Sequence, residues 1–118
     1  MDLTSEYKEQ IKEYIDIDDA LKRVGGNMDL LKRLLKRFLE GNHIEPLEEA
    51  LEKNDKDDAS RLAHTLKGVA ANLSLIKIRD ISVDLEHHIK NDSSHSECMD
   101  ELKKAFSSTV EYISEITG

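Results

Sequence analysis

The chain has 118 residues, 38% of them hydrophobic, and a formal net charge of −8 at pH 7, which suits one domain and is too short for two ordinary ones. With 4% aromatic residues, no Trp and a single Pro, a many-stranded β fold is disfavoured. The acidic charge argues against a nucleic-acid binder, and no apolar run approaches the roughly 20 residues of a membrane-spanning helix. A lone cysteine, Cys98, forms no internal disulfide and fits a reducing compartment, so we expect a cytoplasmic protein.

Apolar residues recur at helical spacing between short breaks rich in Gly, Asn and Ser. Residues 5–15 predict a short helix, and a second short stripe ends at the glycine pair of residues 25–26. Asn27 and Asp55 are predicted N-caps, and Pro46 suits the first turn of a helix. The longer predicted stripes occupy residues 28–38, 47–51, 59–73, 78–89 and 102–116.

These elements predict an all-α protein, because the apolar stripes are helical and the breaks between them are short. Short connections place consecutive helices antiparallel, so we expect an up-down-up-down four-helix bundle with one or two short N-terminal helices. The prediction is a single domain over residues 1–118, with residues 1–16 as a peripheral segment and residues 17–117 as the bundle. In the helix over 58–73, the predicted core stripe is Ala59, Leu62, Leu66, Val69 and Leu73.

One histidine of that helix lies opposite its predicted core stripe. At 100° per residue, His64 falls about 160–200° from Leu62 and Leu66 and should face solvent. Gly68 shares the face of His64, although Gly in a helix interior costs roughly 1 kcal/mol relative to Ala. A bare backbone beside an exposed imidazole would let another macromolecule approach it closely.

The charge pattern around this histidine favours an anionic partner. Residues 60–79 contain no Asp or Glu but include Arg61, Lys67, Lys77 and Arg79, which predicts a local positive ridge. A neutral imidazole is a good nitrogen nucleophile, and phosphoryl transfer requires mainly positioning and charge neutralisation. Lys67, one turn from the histidine, could supply that charge. The second ring nitrogen needs an acceptor, for which Glu86 on the next helix is a candidate.

The motif AHTLKGVAANL at residues 63–73 resembles the signature of the histidine-containing phosphotransfer (HPt) domain. The segment IDDALKRVGGN at residues 17–27 is also similar to bacterial members, and the resemblance covers roughly residues 15–115. It implies that His64 is the phosphoacceptor, that Lys67 stabilises the phosphoryl group and that Gly68 clears space for it. It also implies that Glu86 hydrogen-bonds the second ring nitrogen.

The resemblance further implies a phosphorelay intermediate of two-component signal transduction. A receiver domain bearing phospho-Asp would dock on the His64 face, helped by Arg61, Ala71, Lys77 and Arg79, and a second receiver would take the phosphoryl group. The receiver would bring Mg²⁺, so we expect no cofactor on this chain. No ATP-binding motif is present, so we expect a phosphoryl carrier, not an ATP-dependent kinase or other enzyme. We expect a monomer, either free-standing or part of a hybrid sensor histidine kinase, without nucleic-acid or membrane contact.

Three positions depart from the family pattern. Glu86 stands where Gln is frequent and would bind the imidazole more strongly. Ser74 replaces a Gly that often ends the phosphoacceptor helix, so its turn either costs about 1 kcal/mol or is built differently. Ala71 replaces another frequent Gly and narrows the docking surface by one methyl group.

Two other functions remain open at this stage. Glu40/His43 and Asp84/His87 have the carboxylate-x-x-His spacing by which some four-helix bundles hold two metal ions. Alternatively, the chain is a helical docking module in which the phosphoacceptor candidate is incidental. Cys98 has no His or Cys at ligand spacing, so it receives no role.

Overall fold

The computed structural model describes residues 3–118, in which seven helices and no strands are present. The helices are α1 (Ser5–Ile11), α2 (Ile17–Arg23), α3 (Met28–Glu40), α4 (Glu45–Glu52), α5 (Lys56–Asn72), α6 (Ile76–Lys90) and α7 (Ser96–Thr117). The predicted all-α class is confirmed. None of the helices in residues 3–118 combines the length and apolar character that crossing a bilayer requires.

Polar caps determine where four of these helices begin. The side chains of Thr4, Asp16, Asn27 and Asp55 each accept a hydrogen bond from the backbone N–H three residues further along the chain. Such a cap satisfies one of the free N–H groups of the first turn and contributes about 1 kcal/mol. The caps predicted at Asn27 and Asp55 are thereby confirmed.

The helix that carries His64, α5, lies between two neighbours. It packs against α4 on one side and most extensively against α6 on the other, while α6 also contacts α7, and α7 contacts α3. The buried apolar side chains form one core cluster to which all seven helices contribute. This packing against α4 and α6 holds α5 in place and leaves one face of the helix to solvent.

The predicted core stripe of α5 was wrong at two positions. Leu62 and Val69 are only half-buried, while Ala63 and Ala70 are completely buried. Small side chains at buried positions allow close helix packing, and α5 packs most extensively against α6. Burial along α5 therefore does not follow side-chain hydrophobicity alone. The buried residues of the stripe are Ala59, Ala63, Leu66, Ala70 and Leu73.

The N-terminal segment contributes to the core although it was predicted to be peripheral. Ile11 and Ile15 are fully buried, and the Tyr7 hydroxyl donates a hydrogen bond to Glu115 at 2.6 Å. The N-terminal segment also includes Glu13, which accepts a hydrogen bond from Lys77 of α6. Residues 1–2 of the predicted segment lie outside the described residues.

The turn between α5 and α6 explains why serine can replace glycine there. Ser74 has φ +53°, a left-handed conformation that is strained for any residue with a side chain. Its buried hydroxyl donates a hydrogen bond to Asp19 of α2, and its carbonyl accepts one from the Asp16 N–H. The hydroxyl, followed by Arg23, holds the pKa of Asp19 below its usual value. These bonds offset the strain and tie the turn to α2.

Cys98 is expected to be a poorly reactive thiol. Its side chain is buried, and burial, assisted by the negative charges of Asp84 and Glu101, raises its pKa to about 11. Because the thiolate is the reactive form, we expect slow modification by a disulfide reagent at pH 8 and fast modification in denaturant. Equally fast labelling of the folded protein would contradict this burial.

Candidate functional site

The imidazole of His64 stands outward from the middle of α5. Its side chain is 65% exposed, whereas Leu66 on the opposite face of the helix is 3% exposed. Nδ1 lies 3.2 Å from Glu86 Oε2 and 3.5 Å from Oε1. Among residues 3–118, Nε2 makes no hydrogen bond. One ring nitrogen is therefore held by the neighbouring helix while the other is open to an incoming group.

Glu86 is the buried member of this cluster, with a side chain that is 11% exposed. Besides the histidine, it binds two ammonium groups: Lys67 Nζ at 3.3 Å from Oε1 and Lys90 Nζ at 3.2 Å from Oε2. Burial is the largest single influence on the pKa of Glu86 and raises it, but the hydrogen bonds from Lys90 and Lys67 together outweigh burial. The pKa of Glu86 is consequently lowered, and the carboxyl group is ionised at neutral pH.

The ionised carboxylate selects the tautomer of the histidine. A carboxylate can only accept hydrogen bonds, so the contact with His64 Nδ1 requires the proton to be on Nδ1. In the neutral ring the lone pair then lies on Nε2, the nitrogen that faces solvent. This arrangement prepares Nε2 of His64 as a nucleophile, which is the chemistry that the sequence motif predicts.

Gly68 leaves open space next to the histidine. A Cβ atom built at this position would meet no atom within 4 Å apart from its chain neighbours and the backbone of its own helix, so packing within the chain does not require glycine here. Gly68 is exposed on the face of His64, and Ala71, one turn further, is half-buried. Gly68 therefore lowers helix stability without serving packing within the chain. Glycine at this position fits a requirement that another protein approach His64 closely.

The predicted positive ridge is largely neutralised by carboxylates from outside the 60–79 window. Arg61 pairs with Asp58, Lys77 with Glu13 and Arg79 with Asp80. A scan along the sequence for acidic residues misses partners that a helical turn or the N-terminal segment brings close.

Two of these cations also lie away from the site. At 1.5 Å rise per residue, Lys77 and Arg79 are about 13.5 and 10.5 Å along α6 from Glu86. Of the four predicted docking residues, Arg61 and Ala71 share the face of His64, while Lys77 and Arg79 lie closer to the N-terminal end of α6.

A partly apolar groove beside this face was missed by the sequence analysis. It has a volume of about 590 Å³ and is lined by Val24, Leu34 and Val69, with Arg23 and Arg37 at its rim. Within residues 3–118, Arg37 makes no ion pair. The sequence feature that could have indicated this groove is the width of the apolar stripe of α3. Leucine pairs recur at residues 30–31 and 34–35, which is more apolar surface than one buried helix face requires.

Besides this groove, the sequence analysis also missed the role of one residue, Lys90. The spacing of Glu86 and Lys90 is i, i+4 on α6, an arrangement that commonly forms an ion pair on a helix. That spacing could have identified the pair, but only the structure shows that the carboxylate is the same one that holds His64.

The alternative metal site is not assembled. His43 Nε2 lies 3.0 Å from the Phe38 carbonyl, and its ring stacks on Phe38. His87 is exposed on α6 and contacts Asn91. Across residues 3–118, no three His, Cys, Asp or Glu side chains form a group that could hold a metal ion.

Comparison with known proteins identifies the family. The family model described as Hpt domain matches residues 33–113, which is more than half of the chain and contains α5 and α6 with the whole cluster around His64. The match is narrower than the resemblance over residues 15–115 and leaves out residues 17–27. No curated protein and no solved structure gives a significant match. The chain therefore belongs to the Hpt domain family, whose members take part in histidine phosphotransfer in phosphorelays.

Proposed function

We propose that His64 accepts a phosphoryl group from the phospho-Asp of a receiver domain and passes it to the Asp of another. The observation that carries the proposal is how the two ring nitrogens of His64 are placed. Nδ1 is held by a buried, ionised carboxylate, and Nε2 is exposed. The Hpt domain match over residues 33–113 supports the same chemistry.

The proposed transfer is an in-line substitution at phosphorus. The Nε2 lone pair forms the N–P bond, and the bond between phosphorus and the aspartyl oxygen breaks, so that its electron pair returns to the receiver's carboxylate. The ring becomes positively charged as the bond forms, and Glu86, 3.2 Å from Nδ1, stabilises that charge. Onward transfer to a second receiver reverses these steps. Mg²⁺ is expected on the receiver.

The receiver is proposed to dock across the exposed face of α5 and the neighbouring groove. Val69 joins the two surfaces, because it lines the groove and directly follows Gly68 in α5. Arg37 at the rim provides a positive charge toward the acidic site at which a receiver carries its phospho-Asp. This surface replaces the predicted contribution of Lys77 and Arg79.

The proposal also includes the arrangement of the bundle, the monomeric state, the carrier role and the cytoplasmic location of the chain. The connections over residues 73–75 and 91–95 are short, which supports an antiparallel up-down-up-down bundle in which α3 and α4 together form one member. The chain would act as a monomeric phosphoryl carrier rather than as an enzyme with turnover, in the cytoplasm. Within a hybrid sensor kinase the same surface would serve an attached receiver.

The test is to mix the protein with a receiver domain phosphorylated with ³²P. We expect acid-labile, base-stable label on this chain, no label on His64→Gln, and normal label on the control His87→Gln, which alters an exposed histidine of α6. If His64→Gln is labelled like the parent protein, the proposed function is wrong.

A further inference from the structure

The two lysines that bind Glu86 occupy different oxygens of its carboxylate. Lys67 lies 3.3 Å from Oε1, whereas Lys90 lies 3.2 Å from Oε2. His64 Nδ1 is also closer to Oε2, at 3.2 Å, than to Oε1, at 3.5 Å. The histidine and Lys90 therefore share one oxygen, and Lys67 is the main partner of the other.

A phosphoryl group on Nε2 of His64 would change the charge balance of this cluster. It adds up to two negative charges about one side chain away from the carboxylate of Glu86, and like charges at that distance repel. A neutral amide at position 86 would not create this conflict. The cation next to the new charge is Lys67, because a helical side chain points back toward the preceding turn, and here that turn carries His64.

The ammonium group of Lys67 cannot fully serve both anions. Its side chain is 31% exposed and bound to Glu86, so following the phosphoryl group means releasing Oε1. If Lys67 were the only cation bound to Glu86, its release would leave the carboxylate, whose side chain is 11% exposed, without a counter-charge. An unpaired buried charge is costly. Lys90 removes this obstacle because it stays on Oε2, next to Nδ1 of His64.

We propose that Lys90 is a positioning residue that keeps Glu86 neutralised and in contact with His64 while Lys67 moves to the phosphoryl oxygens. The inference rests on the proposed function of His64 and assigns a separate role to a residue that need not touch the phosphoryl group. Lys90 is suited to this role because its side chain is anchored one turn along α6 from Glu86 and is 62% exposed, so replacing it leaves the core intact.

The test loads His64 chemically, without a receiver. Potassium phosphoramidate transfers its phosphoryl group to Nε2 as the P–N bond of the reagent breaks and ammonia leaves. The half-life of phosphohistidine is then followed by ³¹P NMR, with His64→Gln identifying the signal. The variants are Lys90→Met, Lys90→Arg and Glu86→Gln, alone and as the Glu86→Gln/Lys90→Met double variant. Lys104→Met, an exposed lysine of α7, is the control for the change in net charge.

We expect Lys90→Met to shorten the half-life about threefold or more, the effect of one charge-assisted hydrogen bond at a partly exposed site. Lys90→Arg and Lys104→Met should stay within about twofold of the parent protein. In the Glu86→Gln background, Lys90→Met should change the half-life less than about twofold, because no carboxylate remains to retain Lys67.

Two results would overturn the inference. An unchanged half-life in Lys90→Met shows that Glu86 does not need this lysine. An equal shortening in both backgrounds shows that Lys90 acts on the phosphoryl group directly and not through Glu86. If phosphoramidate phosphorylates His64 but a phosphorylated receiver does not, the proposed function is rejected and the half-lives of the variants can still be compared. Failure of both would remove the phosphorylated state that the inference requires.

Discussion

Gly68→Gln is expected to lower the rate of phosphoryl transfer from a receiver by about 100-fold or more while leaving the protein as stable as before. A glutamine at this position projects into the space beside Nε2 of His64. A displacement of the incoming phospho-Asp by about 1 Å can cost roughly 100-fold in rate. Stability should be unchanged or slightly higher, since a Cβ meets nothing within 4 Å and Gln is the better helix former by about 0.5–1 kcal/mol.

Rapid-quench transfer kinetics and thermal unfolding, measured on the same preparation, test both halves of this prediction. Ser107→Gln, which places the same side chain on an exposed position of α7, is the matched control and should transfer normally. A Gly68→Gln variant that transfers at the parent rate would remove the argument that glycine provides access. A variant that fails to fold would contradict the open space found around this residue.

Leu66→Ala is expected to have the opposite effect, because it changes the other face of the same helix. Leu66 is 3% exposed and belongs to the core. Truncating a buried leucine to alanine destabilises a protein by about 3 kcal/mol through lost apolar burial and the cavity that remains. For a domain of this size, that corresponds to a fall in melting temperature of roughly 10 °C.

Urea unfolding gives the change in the free energy of unfolding, and transfer kinetics well below the new melting temperature give the effect on function. We expect Leu66→Ala to accept the phosphoryl group within a few-fold of the parent rate at 10 °C, because His64 and its partners are unaltered. A loss of less than about 1 kcal/mol would mean that this face of α5 is not the packed one.

The exposed face of α5 could be predicted from the sequence because it depends only on helical geometry. Counting 100° per residue from Leu66 places His64 and Gly68 on the solvent side, and the structure agrees. The contact with Glu86 could also be anticipated, since a short connection at Ser74 makes α5 and α6 antiparallel neighbours.

Features that depend on tertiary packing were not predictable in the same way. Hydrophobicity placed Leu62 in the core stripe, whereas the folded protein buries the smaller Ala63 instead. The prediction of a positive ridge failed for a related reason. The carboxylate of Glu13, which pairs with Lys77, is distant from it in sequence but close in space. The groove at Arg37 likewise combines residues of α2, α3 and α5, which no single stripe reveals.

The role assigned to Glu86 and His64 is tested most directly by determining which atom carries the phosphoryl group. Protein labelled with ¹⁵N on histidine is phosphorylated by a receiver, and the ³¹P–¹⁵N coupling is measured by NMR. Because Glu86 holds the proton on Nδ1, we expect phosphorus to be bonded to Nε2 of His64 alone. Phosphorus on Nδ1 of His64, or on any other residue, would contradict it.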